Sequence, residues 1–293
     1  MKNKIASQTR ILYNNIHKKQ LKNKESYKKL KTSSYNFFLK YKKFFFNKVA
    51  CDLGCGNTGH AGKTLLSMGA KKVYFVDFNR SINKNLKTNL SKFKSKFEII
   101  NTDIQKKILK KNFFDFIICQ GVIHHIQNDT KTFKNIFSNL KKGGYFIFDV
   151  QGEGGLITDF LNLIVRKKYK TDKNVKKLLD GFMNKKTVIF EKIFLRDFNH
   201  IEKKNLFKLK KLFDDDLFLT LKDRILSPQY KMYNEKKLIK KLKQIGFKNV
   251  KRVEKETKLN NIRKIFNYNY SNYNHSISKA LFGEGNISII AKK

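Results

Sequence analysis

Between residues 48 and 150 the chain alternates short apolar runs with polar stretches of helical period, and this rhythm admits few folds. The apolar runs fall at 48–53, 72–77, 97–102, 114–120 and 144–150. Helices are predicted at 61–67, 80–93 and 130–141, the last ending at Gly143-Gly144, where glycine would stop a helix. Strands that read as unbroken apolar runs are buried on both faces, and parallel neighbours need a crossover between them. Five such strands with helical connections predict a doubly wound, mostly parallel sheet with helices on both faces.

The flanking regions complete the plan. Residues 1–47 are rich in Lys and Asn with aromatic groups at Phe37-Phe38 and at 44–46, and read as an N-terminal helical extension ahead of a core at 48–151. The stretch 152–231 is rich in Phe and Leu but breaks the strand-helix rhythm, so it is expected to form a largely helical cap inserted after the fifth strand. Helical period returns at 234–245, ended by Gly246. A strand at 249–255 and a final apolar run at 286–291 bring the sheet to seven strands within the segment 232–293. A shorter insertion at 258–285 carries NYNYSNYNHS and reads as a solvated loop.

No segment has the roughly 18 consecutive apolar residues of a membrane span, and the N-terminus lacks the apolar run of a secretory signal. A cytoplasmic location is expected. Cys51, Cys55 and Cys119 all fall in or beside core strands, where a thiol behaves as a small hydrophobe. Their spacing suits no usual zinc site, so no metal is expected. The formal charge is +42, from 65 basic against 23 acidic residues. Only seven of the basic residues are Arg, the better side chain for bidentate phosphate contacts, and there are six Ala and no Trp. That usage fits the coding bias of an AT-rich genome, although the positive field would attract anions whatever its origin.

The chemistry gathers around VACDLGCGNTG. Gly54-Cys55-Gly56-Asn57-Thr58-Gly59 is formally G-x-G-x-x-G between a strand and a helix, a turn that brings bare backbone against a ligand at a helix N-terminus. Asp77, at the tip of the second strand and 23 residues after Gly54, sits where an acid takes ribose hydroxyls. Asp52 beside the turn would repel a pyrophosphate and suits a ligand bearing an ammonium group.

Asp52-Leu53-Gly54-Cys55-Gly56 resembles the first motif of class I S-adenosylmethionine-dependent methyltransferases of the type-11 or type-25 kind. VYFVD at 73–77 is similar to their second-strand motif, and Asn101-Thr102-Asp103 to the acidic tip of the third strand. FDFIICQGVIHHI at 114–126 is similar to the fourth, and LKKGGYFIF at 140–148 to the fifth. The resemblance covers about residues 48–150 and implies a Rossmann-like fold with S-adenosyl-L-methionine as cofactor. It further implies that Gly54, Cys55 and Gly56 line the methionine moiety, and that Asp52 helps hold its ammonium group. Asp77 would take the ribose hydroxyls, Phe78 and Ile104 would sandwich the adenine, Asp103 would accept from its exocyclic amine, and Gln120 would lie under the amino-acid end.

His124-His125 opens toward the transferred methyl, and His124 is the candidate general base. Many relatives methylate by proximity and alignment alone. Similar enzymes often place an aromatic over the acceptor just before the returning helix, which makes Tyr230 and Tyr233 candidate substrate contacts. Asp214-Asp215-Asp216 lacks partner ligands and reads as a solvated turn. Cys119-Gln120-Gly121-Val122 replaces the Asn/Asp-Pro-Pro-aromatic motif of amino-group methylation on adenine or glutamine, and there is no Pro-Cys nucleophile. The reading is methyl transfer to a small-molecule metabolite. The alternatives are an RNA methyltransferase using the basic surface and a catalytically inactive cofactor-binding homologue. Asp52 and the fourth-strand motif disfavour an NAD-dependent oxidoreductase.

Overall fold

In the computed structural model, residues 7–9, 11–16, 34–106, 111–184, 215–254 and 274–293 are described. Val49–Leu53 forms β1, Lys72–Asp77 β2, Phe97–Asn101 β3, Phe114–Cys119 β4, Leu140–Gln151 β5, Lys248–Arg252 β6 and Asn286–Lys292 β7. They make one seven-stranded sheet in the order β3-β2-β1-β4-β5-β7-β6. The pairs from β3 to β5 are parallel, and β7 runs antiparallel to both β5 and β6.

Successive side chains of a strand face opposite sides, and here both sides are apolar. On β4, Ile117 and Cys119 enter one buried cluster while Phe116 and Ile118 enter another across the sheet. Helices α1 (His60–Ser67), α2 (Asn83–Leu90) and α3 (Asp129–Asn139) make the connections. The Asn128 side chain accepts from Lys131 N at 2.9 Å and caps α3. Strand order reverses between β1 and β4, and the carboxyl ends at Leu53, Asp77 and Cys119 lie on the same edge, so a crevice opens at that switch point.

The Gly143-Gly144 pair does not end a helix. Helix α3 stops at Asn139 and β5 has already begun at Leu140, which pairs with Phe114, while Phe116 pairs with Tyr145. The register jump is a bulge in β5: a Cβ on Gly144 would lie 2.9 Å from the Lys141 carbonyl oxygen, so the glycines serve the strand.

Two units are distinguished along the chain. The first comprises residues 1–153, 228–256 and 284–293, holding the sheet and helix α7 (Glu235–Ile245). In it Phe37, Phe38 and Phe45 of the N-terminal region are buried in the cluster that holds Ala50 and Phe116. The second comprises 154–227 and 257–283. Its described helices are α4 at 156–171, which contains a π-helical segment at Phe160–Val165, then α5 (Lys173–Asn184), α6 (Asp215–Leu226) and α8 (Ser276–Phe282). Residues 228–233 return to the first unit, where Tyr233 N donates to Gln151 O at 2.9 Å. Asp214 and the sequence NYNYSN at 267–272 lie outside the described residues, as does most of the 258–285 insertion.

Candidate active site

The turn after β1 is tied to β2. Gly54 N donates to Val76 O at 2.7 Å and Cys55 N to the same oxygen at 3.2 Å. Gly56 N donates to Asp77 Oδ2 at 3.0 Å, and Asn79 N donates to Asp77 Oδ1 at 2.9 Å. Asp77 therefore fixes two turns at once. Gly54 adopts φ +72°, and a Cβ there would sit 2.4 Å from Val122 Cγ2. Glycine is required on both counts.

Behind this turn Asp52 is 3% exposed and accepts from Gly62 N of α1 at 2.8 Å. Burial raises its carboxyl to about 7, the Gly62 N–H pulls the other way, and the charge on Asp77 adds to the rise. Burial also raises Asp77, although the N–H groups of Asn79, Gly56 and Phe78 oppose it. The thiols of Cys51, Cys55 and Cys119 are free, and burial pushes all three upward.

A cavity of about 720 Å³ opens at the carboxyl ends of the strands. Gly54, Asp77, Phe78, Asp103, Ile104 and Gln120 line it together. Asp103 Oδ1 accepts from Gln105 N at 2.9 Å, which fixes the carboxylate at the cavity wall. Asp52, Cys55 and Gly56 do not line the cavity but lie buried behind its wall. Asp52, expected to meet the ligand's ammonium group, has one carboxylate oxygen bonded to the Gly62 amide behind the wall.

The histidine pair divides differently from the expectation. His125 lines the cavity, whereas His124 is buried with its ring centroid 4.0 Å from that of His125 and 5.2 Å from that of Tyr230. His125 Nδ1 lies 3.0 Å from Gln229 O, an atom that can only accept, so Nδ1 carries the proton. Nε2 is then the acceptor for the Tyr13 hydroxyl at 2.6 Å. Tyr13 and Thr9, from the N-terminal helical residues, also line the cavity.

The candidate acceptor contacts are likewise corrected. Tyr233 is turned into the core, donating to Asp129 Oδ2 at 3.0 Å, and burial raises its phenol further. Burial alone would raise Asp129, but Lys241, Lys231 and Tyr233 together bring it below the ordinary carboxylate range. Tyr230 does not line the cavity: it donates to Gln151 Oε1 at 3.4 Å and lies 5.3 Å, between ring centroids, from His125 in the cavity wall.

Sequence reasoning missed Tyr13, Gln229 and Asp149. Asp149 accepts from Gly121 N at 2.5 Å and is buried beneath the Gln120-Gly121 turn. Its signal was legible: an acid inside the apolar run FIFDV requires a buried partner. Tyr13 had no such signal, because its role depends on a contact 112 residues away.

A sheet of this order with its one antiparallel partner at β7, and an acid at the tip of β2 above a glycine turn, defines the class I S-adenosylmethionine-dependent methyltransferase fold. Residues 51–148 match the family model of a methyltransferase domain. The chain is 32% identical over 131 residues to a tRNA U34 carboxymethyltransferase of Campylobacter fetus, covering 40% of this chain and 43% of the relative. It is 27% identical over 162 residues to phosphoethanolamine N-methyltransferase 2 of Caenorhabditis elegans, covering 52% and 37%. The chain thus spans less than half the length of either relative. A SAM-dependent methyltransferase from Archaeoglobus fulgidus superposes with a TM-score of 0.50 at 16% identity, covering 90% of this chain and 94% of that one, a likeness of fold.

Proposed function

We propose that this chain transfers the methyl group of S-adenosylmethionine to a small-molecule acceptor. The observation that carries the proposal is the single cavity wall shared by Asp77, Phe78, Asp103, Ile104 and Gln120. The donor set fits the cofactor: Asp77 presents a carboxylate at the cavity wall for the ribose hydroxyls, and Asp103 presents an acceptor for an amine. Phe78 and Ile104 supply apolar surface for a purine. Gly54 lets the amino-acid end approach bare backbone. Asp52, Cys55 and Gly56 act from behind by holding the turn. When bound, S-adenosylmethionine supplies an electrophilic methyl on a sulfonium, displaced in an SN2-like step.

The protein's work is then alignment and proton management. His125, held by Gln229 in the tautomer with Nε2 as the acceptor, polarises the Tyr13 hydroxyl. As the Tyr13 oxygen accepts the acceptor's proton, its own proton passes to His125 Nε2. Asp149 keeps the Gly121 amide, and with it the Gln120 turn, in place.

The volume of about 720 Å³ falls within the roughly 300–1,000 Å³ usual for small-molecule sites. Thr9 and Tyr13 form part of its wall, which favours a compact acceptor over a nucleotide held within a polymer. The charge of +42 and the tRNA-modifying relative favour RNA as the second reading. Calorimetric titration with S-adenosylmethionine, S-adenosylhomocysteine and NAD tests the cofactor. Transfer of labelled methyl to a panel of small amines and alcohols, in parallel with bulk tRNA, tests the acceptor. Binding of NAD in preference to the other two would overturn the cofactor assignment, and label in tRNA alone would overturn the small-molecule reading.

A further inference from the structure

Helix α4, at 156–171 of the second unit, is amphipathic the wrong way round. Its buried residues are polar: Thr158, Asn162 and Arg166, spaced by four along one face. Thr158 Oγ1 donates to Phe282 O at 3.2 Å, while Arg166 donates from Nη1 to Arg224 O at 2.7 Å and from Nη2 to Ser227 O at 2.5 Å. These bonds fix the rotation of the helix about its axis, so the outward face is not arbitrary. That face carries Leu156, Phe160, Leu163 and Ile164, all more than half exposed, at the spacing of one helical stripe.

Lone exposed hydrophobes need no explanation, but four on one stripe do. Following them from 167 to 177 are Lys167, Lys168, Lys170, Lys173, Lys176 and Lys177, all exposed, against the single acid Asp172. Leu178 on α5 is a further exposed apolar residue, 69% exposed. Apolar side chains beside a field of lysines complement a surface with an apolar interior and an anionic rim. A bilayer bearing acidic headgroups has that arrangement. Among the described residues no helix is long and apolar enough to cross a membrane.

We infer that the outward face of 156–178 docks on the surface of anionic membranes, a property separate from the methyl-transfer reading. The occupant is a lipid surface, because the exposed lysines between 167 and 177 follow the apolar stripe in the chain and supply the charge that an anionic headgroup layer complements.

The experiment is co-sedimentation of the full chain with vesicles of phosphatidylglycerol and phosphatidylcholine, or of phosphatidylcholine alone. The comparison variant is Leu156→Ser/Phe160→Ser/Leu163→Ser/Ile164→Ser. The changes fall on exposed positions, and thermal unfolding checks that the fold is kept. Expected are binding to the anionic vesicles and a loss in the variant of about ten-fold or more, as apolar burial at the interface is removed. Equal binding by both proteins would assign the effect to the general charge of the chain and overturn the proposal. So would absence of vesicle binding, or a dimer of the parent chain abolished in the variant, which would make a second copy the occupant.

Discussion

Replacing Asp52 by Asn should change the pH dependence of stability more than any other single substitution at the site. Asn keeps the size of the side chain, and its carbonyl oxygen still accepts from Gly62 N, so the perturbation is almost purely one of charge. Asp52 is raised from its ordinary 3.8 to about 7 by burial. Because the folded chain holds this proton more tightly than the unfolded one, the associated stability is fully present below about pH 4. It is lost as the pH rises through about 7. At about 1.36 kcal/mol per pH unit, the interval corresponds to about 4 kcal/mol, of which about 2 lies between pH 5 and 7, where the folded carboxyl is already half-titrated at the upper end. Urea unfolding of parent and Asp52→Asn at both pH values measures it. The variant should gain about 2 kcal/mol on the parent across that interval. A difference independent of pH would refute the assignment of a buried, proton-holding carboxyl beneath the glycine turn.

Other consequences follow from the same geometry. Asp77→Ala should weaken S-adenosylhomocysteine binding by about 1.5–3 kcal/mol, the usual worth of hydrogen bonds to a charged group, as read by calorimetry. An unaltered affinity would remove Asp77 from the ribose site. Gly54→Ala places a methyl against Val122 at φ +72° and should lower stability by about 1–3 kcal/mol, measured by thermal or denaturant unfolding. Tyr13→Phe removes the hydroxyl bonded to His125, and kcat should fall on the order of a hundred-fold with little change in cofactor affinity. A fall of less than about three-fold would show that alignment alone supports the reaction.

The fold was readable because its strands are buried on both faces, which makes each an apolar run bounded by polar helices. The tips of those strands were equally readable, since Gly54, Asp77, Asp103 and Gln120 sit where a strand ends and a crossover begins. What failed to show were features set by packing across the chain. Gly143-Gly144 has the composition of a helix stop but serves a bulge, because the pairing of Leu140 with Phe114 extends β5 backward. Tyr233 has the composition of a pocket aromatic but is drawn inward by Asp129, Lys241 and Lys231. His124 and His125 are neighbours with opposite fates, decided by Tyr13 and Gln229, which contribute no local pattern.

The sheet order has a kinetic implication. Strand β6 joins the sheet only through β7, although some thirty residues separate the two in sequence. During synthesis from the N-terminus, β6 therefore leaves the ribosome with no strand to pair with, and one flank of β5 stays open for the same interval. Pairings that close so late are slow and leave edges free to engage other chains. Nascent chains paused between β6 and β7 should be more sensitive to proteolysis, and more dependent on chaperones, than those released after β7.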